Sequence, residues 1–363
     1  MNIRPIFIGV AVFILLFTVW EKKIKYHPPA LFQQPAQIDP SVMARLSAVC
    51  ALSTSTPEKN IIGMSYHTDP SRYQPEEYDA LKDLGVRHVR IDFGWKYIAH
   101  TEGAYDWTHY DALVREITLR GITISDALVT YPPEYLRDWN DAASQMETFM
   151  QKIVERYEPG GEFARIMPGF PGISYWEIIN EPNLPGLGFV PSKIDPRDFV
   201  DAYALLLMSA NRGVRRADPS AFVIMGGLSP DGMPPEAFLS RVLSLAPNCF
   251  DILAFHPYGD PGNFLSIATR LKVIMLEHGI KKRPIWFNEY GESNDTLRQS
   301  VIPSAFTNSN SVDGFFWFTL RDLAVIGENY GVLDYSYAHK PEYQSLKDAF
   351  TKPTSILSDA KED

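Results

Sequence analysis

The chain has 363 residues, 45% of them hydrophobic and 13% aromatic, enough for one large domain with a substantial core or two ordinary ones. Its formal net charge of −10, with no basic block beyond Glu21-Lys22-Lys23-Ile24-Lys25, argues against a nucleic-acid partner, which needs a basic stripe. The eight histidines are scattered with no His-Glu-x-x-His or Cys-x-x-Cys spacing, and no Gly-x-Gly-x-x-Gly or Walker-type loop follows a strand, so neither a metal nor a cofactor is expected.

Pro5 to Trp20 is uncharged and dense in Ile, Phe, Val and Leu. As a helix it spans roughly 24 Å, short of a ~30 Å hydrocarbon core until Ile3 and the flanks are drawn in. It lacks a small-residue cleavage site and ends in Trp20 followed by lysines, which suit an interface. Residues 1–25 are therefore expected to form an uncleaved transmembrane anchor helix. Arg4 and the lysines pull its orientation in opposite directions and do not decide it. Residues 26–60 read as a tether with Pro28, Pro29, Pro35 and Pro40, then a lead-in helix from Ser41 to Leu52.

From Ile61, β-prone runs alternate with amphipathic stretches. The runs are 61–67, 86–95, 122–129, 173–183, 222–229, 251–259, 283–291 and 314–322, with helical patterns between them. Eight strand-then-helix units over residues 61–350 predict a (β/α)8 barrel; an open doubly wound sheet is the alternative, less suited to such even units. Residues 351–363 form a polar tail. Cys50 and Cys249 each precede a strand, which places both at the bottom of the barrel. Buried free thiols and a disulfide in an oxidising compartment both fit.

Chemistry gathers at two strand ends. Trp176-Glu177-Ile178-Ile179-Asn180-Glu181-Pro182-Asn183 is an apolar run closed by an Asn-Glu pair and a proline that cannot donate to the ladder. Pro284-Ile285-Trp286-Phe287-Asn288-Glu289-Tyr290-Gly291 repeats the design, so Glu181 and Glu289 end the fourth and seventh strands. Two such carboxyls, one acid and one nucleophile or base, are what glycoside hydrolysis requires. Glu177 shares Glu181's side of the strand but lies deeper, where a hydrogen-bonded structural carboxylate is the expectation.

The pattern over residues 61–350 resembles clan A of the glycoside hydrolases, the retaining (β/α)8 enzymes with an acid/base Glu after strand four and a nucleophile Glu after strand seven. Asn180-Glu181-Pro182 matches the first of these and Glu289 the second. The resemblance also implies that Arg90, in Val89-Arg90-Ile91, holds the nucleophile carboxylate. It implies that His256 and Tyr258 border that carboxylate and that Trp317 is the platform beneath the sugar. Asn180 would bond the sugar 2-hydroxyl. Trp95, Tyr97, Tyr131, Trp139, Phe189 and Tyr330 are further candidate sugar-binding rings, and residues 184–198 a candidate cleft wall. Gly331-Val332-Leu333-Asp334 with Lys340-Pro341-Glu342-Tyr343 is similar to the closing loop and last helix of family 5 and family 39 members. The chain departs from them in having little sequence after Phe350 for the β-rich modules of family 39, and no His at Leu128-Val129-Thr130-Tyr131.

The nearest resemblance in kind is to endoglycosidases of bacterial exopolysaccharide operons. It implies a retaining O-glycosidase acting on a cell-envelope or exported polysaccharide, with exopolysaccharide machinery as a partner. Localisation would be the bacterial inner membrane with the barrel periplasmic. A catalytically idle glycan-binding barrel of an export assembly and a transglycosylase are the alternatives; the transglycosylase shares every residue named.

Overall fold

A computed structural model describes residues 38, 40–66, 74–130, 132–133, 135–184, 196–322 and 329–351. Eight parallel strands run in sequence order: β1 (Ile61–Ser65), β2 (His88–Gly94), β3 (Thr123–Thr130), β4 (Tyr175–Ile178), β5 (Phe222–Leu228), β6 (Ile252–Phe255), β7 (Ile285–Tyr290) and β8 (Gly314–Phe318). β8 pairs with β1 and closes the barrel. Every strand is followed by a helix, the eight principal ones being Pro75–Asp83, Thr108–Leu119, Trp139–Tyr157, Pro196–Ala217, Pro235–Leu245, Phe264–Glu277, Asp295–Asn308 and Tyr343–Thr351. The (β/α)8 expectation is met, and the open sheet is excluded by the β1–β8 pairing.

Helix Trp139–Tyr157 shows how local sequence specifies these elements. The Asp138 carboxylate accepts from the amides of Asn140 and Asp141, satisfying two donors of the first turn. Ala142, Met146, Phe149, Ile153 and Tyr157 then recur at helical spacing and are buried.

Two apolar layers hold the barrel. Between strands and helices lies the large core; inside the barrel, a smaller plug of Ile61, Phe222, Ile224, Ile252, Trp286 and Phe316 fills the lower half. Strand alternation assigns facing: on β8, Phe316 points inward while Phe315 and Trp317 join the outer core.

The alternation breaks where it matters. Phe287 and Tyr290 of β7 oppose Phe315 and Trp317 of β8, so β7 has one residue more than its partner between these pairs. Phe287 and Tyr290 both belong to the outer core, which leaves Asn288 and Glu289 as consecutive residues off that face. β5 carries a matching irregularity at Gly226-Gly227, between the pairs Met225–Leu253 and Leu228–Phe255.

β4 stops at Ile178, not at Asn183 as the apolar run suggested. Ile179 (φ 66°) and Glu181 (φ 44°) take left-handed conformations, which end the strand before Pro182 is reached.

The lead-in segment crosses the bottom of the barrel after helix Pro40–Ser47. The Ser53 amide donates to Asp251 (2.6 Å), the Thr54 amide to the Pro219 carbonyl (3.0 Å) and the Glu58 amide to the Tyr175 hydroxyl (2.9 Å). Cys50 and Cys249 are joined in a disulfide at this same end. At the chain's other end, Arg298 bonds Glu342 and the Gly331 carbonyl, and Lys340 pairs with Asp322 (2.6 Å), which ties the closing loop to the barrel.

The expected anchor (1–25), the tether up to residue 37 and the tail from residue 352 lie outside the described residues. Among the described residues, no helix is long and apolar enough to cross a membrane.

Candidate active site

Glu181 and Glu289 are both buried at the C-terminal end of the barrel, where barrel active sites are built. One oxygen of each, together with His256 Nδ1, forms a set whose members all lie within 4.8 Å of one another. His256 Nδ1 is 2.9 Å from Glu181 Oε1 and 3.8 Å from Glu289 Oε1. Tyr258 donates its hydroxyl to Glu289 Oε1 at 2.6 Å. These three side chains are also the one group among the described residues that offers a divalent cation three donor atoms.

Arg90 organises the floor of the site. Its Nη1 donates to Glu289 Oε2 (2.9 Å) and Ser65 Oγ (3.1 Å). Its Nη2 donates to Asn180 Oδ1 (2.7 Å) and Glu177 Oε1 (3.2 Å), and its Nε to Glu177 Oε2 (2.6 Å). A guanidinium has five N–H groups in a fixed fork, and here all five have acceptors. Glu177, deep in the barrel as the alternation of β4 implied, also accepts from the Gly227 amide (2.8 Å). Asp126 of β3 completes the buried cluster, 3.6 Å from Arg90 Nε and accepting from Asn288 Nδ2 (3.0 Å).

The ionisation of these groups follows from their surroundings. Burial alone would push the Arg90 guanidinium down, but Glu177, Glu289 and Asp126 more than offset it and hold it above its usual value. Burial, reinforced by the Glu177 carboxylate, raises Asp126 well above the ordinary carboxylate range. Glu181 is also raised by burial, with the Glu289 carboxylate adding to it and the His256 hydrogen bond opposing it. Burial lowers His256, yet the carboxylates of Glu289 and Glu181 overcome this and leave it raised. Glu181 and His256 are thus hydrogen-bonded partners that both take up a proton more readily than in water.

Two glycines make the arrangement sterically feasible. A Cβ on Gly227 would lie 2.1 Å from His256 Nε2, and one on Gly226 1.8 Å from the Ile179 carbonyl oxygen. The Gly227 carbonyl accepts the Glu181 amide (3.0 Å), fixing the turn that carries this Glu. Asn183 holds the next loop, donating to the carbonyls of Ser229 (2.8 Å) and Met233 (2.9 Å).

Of the residues singled out from sequence, Arg90, Asn180, Glu181, His256, Tyr258 and Glu289 are thus brought together. Trp317 is not. Its ring faces outward against Tyr290 of β7 and Phe306 of helix Asp295–Asn308, because alternation from the inward Phe316 turns residue 317 away. Phe318, the next residue, contacts Tyr330, which in turn packs on Tyr258 (5.8 Å), so this aromatic series borders the site instead. Trp95 stacks on Phe149 and Trp139 packs against Phe199, both within the core between strands and helices. Tyr97 lies against that same core beneath Lys96. Tyr131, Phe189 and most of the loop 184–198 fall outside the described residues. Sequence reading missed Ser65, Asp126, Asn288 and the glycine pair; a double glycine inside an apolar strand was the available signal for the last.

No protein-family model matches the chain, and no curated protein matches it. Solved structures do. A family 39 glycoside hydrolase from Bacteroides cellulosilyticus WH2 aligns with a TM-score of 0.63 at 20% identity, over 79% of this chain and 62% of that one. A monomeric beta-xylosidase from Caulobacter crescentus CB15 aligns at 0.61 and 17% identity, over 82% and 70%. A GH5_18 protein from Streptomyces cattleya, in complex with GlcNAc, aligns at 0.57 and 15%, over 81% and 80%. At these identities the likeness shows the fold alone, a barrel shared with family 39 and family 5 proteins. The chain spans about 62% of the length of the first of them.

Proposed function

We propose that this protein is a retaining O-glycosidase of the clan A type that cleaves a cell-envelope or exported polysaccharide by double displacement. The observation that carries the reading is the approach of Glu181 and Glu289 to within 4.8 Å, both buried at the open end of a closed barrel. Retaining enzymes place their carboxyls ~5–5.5 Å apart so that one attacks the anomeric carbon directly, whereas inverting enzymes leave ~6.5–9.5 Å for a water.

Glu289 is the nucleophile. Arg90 and Tyr258 donate to its two oxygens, which favours the anion and aims it at the substrate. Glu181 is the acid/base: its raised pKa supplies the proton to the leaving oxygen. Having given that proton to the leaving group, Glu181 is a carboxylate; with Glu289 esterified its charge no longer raises Glu181, which takes a proton from the water that opens the ester. Asn180, held by Arg90, is oriented to meet the sugar 2-hydroxyl. His256 tunes Glu181 through its Nδ1 bond.

The chain is further proposed to be held in the bacterial inner membrane by residues 1–25, with the barrel in the periplasm alongside exopolysaccharide machinery. The apolar run Pro5–Trp20 supports the anchor, and the Cys50–Cys249 disulfide supports an oxidising compartment. Protease added to spheroplasts should digest the barrel while a cytosolic control survives.

The catalytic test is a glycan panel with product stereochemistry read by NMR, in which the first product should keep its anomeric configuration. Glu289→Gln should lower turnover by several orders of magnitude with the fold intact. An inverted product, or a mutant retaining more than a tenth of wild-type turnover, sinks the assignment.

A further inference from the structure

At the bottom of the barrel, opposite the carboxyl pair, helix Pro40–Ser47 lies against the last turns of helix Pro196–Ala217 and leaves a groove of about 660 Å³. Arg45, Arg212, Arg215 and Arg216 line it with three aliphatic side chains and no carboxylate. Arg215 is committed to structure, donating to the carbonyls of Ala51 and Ala221 and pairing with Asp251. Arg212 and Arg216 share the single carboxylate of Glu147, and Arg45 donates to the Ser41 hydroxyl. Positive charge is thus in surplus here, on a chain whose net charge is −10. Val49, one of those aliphatic residues, and Leu52, three residues on, are 57% and 45% exposed.

We infer that this face docks on an anionic phospholipid surface, with Arg45, Arg212 and Arg216 on lipid phosphates and Val49 and Leu52 in the interfacial zone. The inference rests on the membrane-anchor reading above. Charge complementarity supports it, since guanidiniums beside exposed aliphatic groups suit a phosphate layer over acyl chains. Chain connectivity supports it as well. Residues 21–39 separate the apolar run from helix Pro40–Ser47, and fully extended they reach no more than roughly 65 Å. A tether that short keeps the groove at high local concentration above the bilayer, so weak ionic contacts suffice. Docked this way, the barrel turns Glu181 and Glu289 away from the lipid and towards a polymer in solvent.

The test uses the full chain reconstituted in phosphatidylcholine vesicles with and without phosphatidylglycerol, with hydrogen–deuterium exchange read on peptides covering 40–52 and 205–217. Exchange there should slow several-fold on the anionic vesicles only, and high salt should remove the difference. Arg45→Glu/Arg212→Glu/Arg216→Glu should abolish it while glycosidase activity is unchanged. Equal exchange on both vesicle types, in protein that floats with both, overturns the docking and leaves the anchor standing. Failure to float with either type overturns the anchor and the docking with it. Protection that persists without phosphatidylglycerol and disappears on deleting residues 352–363 assigns the groove to the chain's own polar tail, which also overturns the proposal.

Discussion

Replacing Arg90 by Lys tests the organisation of the site more sharply than removing either carboxyl. The substitution keeps the positive charge but exchanges five forked donors for three on one nitrogen. Five acceptor atoms depend on that fork: both oxygens of Glu177, Ser65 Oγ, Asn180 Oδ1 and Glu289 Oε2. At least two go unserved in the mutant, and hydrogen bonds to charged groups are worth about 1.5–3 kcal/mol each, so about 3–6 kcal/mol of the network is at stake. Most of this is present in the free protein and should appear as a lower denaturation midpoint, a substantial fraction of the ~5–15 kcal/mol that holds a domain together. The remainder concerns catalysis. Asn180 and Glu289 lose a common reference point, and a misplacement of about 1 Å costs on the order of 10²-fold in rate. On the best substrate from the glycan panel, kcat/KM of Arg90→Lys should fall by about 10²–10³-fold, with the far-ultraviolet dichroism of the barrel retained. A mutant within threefold of wild type would show that the forked geometry has no part in positioning the reacting groups.

Three further outcomes follow from other contacts. His256→Phe removes the bond and the charge that oppose the raised pKa of Glu181, so Glu181 should stay protonated to higher pH. The basic limb of kcat/KM should therefore move upward; a limb that stays put or moves down contradicts the pairing. Gly227→Ala places a methyl where His256 Nε2 lies 2.1 Å away, so turnover should drop at least about tenfold, from overpacking that shifts the ring, while heat stability falls by about 1–3 kcal/mol. Unchanged kinetics would mean that the ring has room to spare. Cys50→Ser opens a link between residues 199 positions apart, a loop closure worth up to about 5 kcal/mol in the chain-entropy account. Because Ser53, Thr54 and Glu58 still tie the lead-in segment to the barrel bottom, the loss seen in urea titration should be smaller than that ceiling, and activity should persist.

Local sequence determined the architecture and the residues with chemistry to offer. Alternation and helical spacing are properties of neighbouring residues, so eight strand-then-helix units were legible without any knowledge of how they pack. The acidic termini of the fourth and seventh strands were legible for the same reason, as polar groups closing apolar runs. Facing was not. Trp317 and Phe318 are equally aromatic, and only the pairing of β8 with its neighbours turns Phe318 towards Tyr330 and Trp317 into the helical layer. The extra residue of β7 is invisible in one dimension too, since it exists only relative to β8, yet it sets Asn288 and Glu289 side by side away from the outer core. Asp126, Glu177 and Asn288 are ordinary polar residues in the linear chain. Closure of the barrel removes them from water, sets both oxygens of Glu177 on Arg90 and Asn288 on Asp126, and burial then raises the pKa of Asp126. The sequence left Cys50 and Cys249 open between thiol and disulfide, because their approach depends on the lead-in segment crossing the barrel floor, a path set by hydrogen bonds to residues more than a hundred positions away.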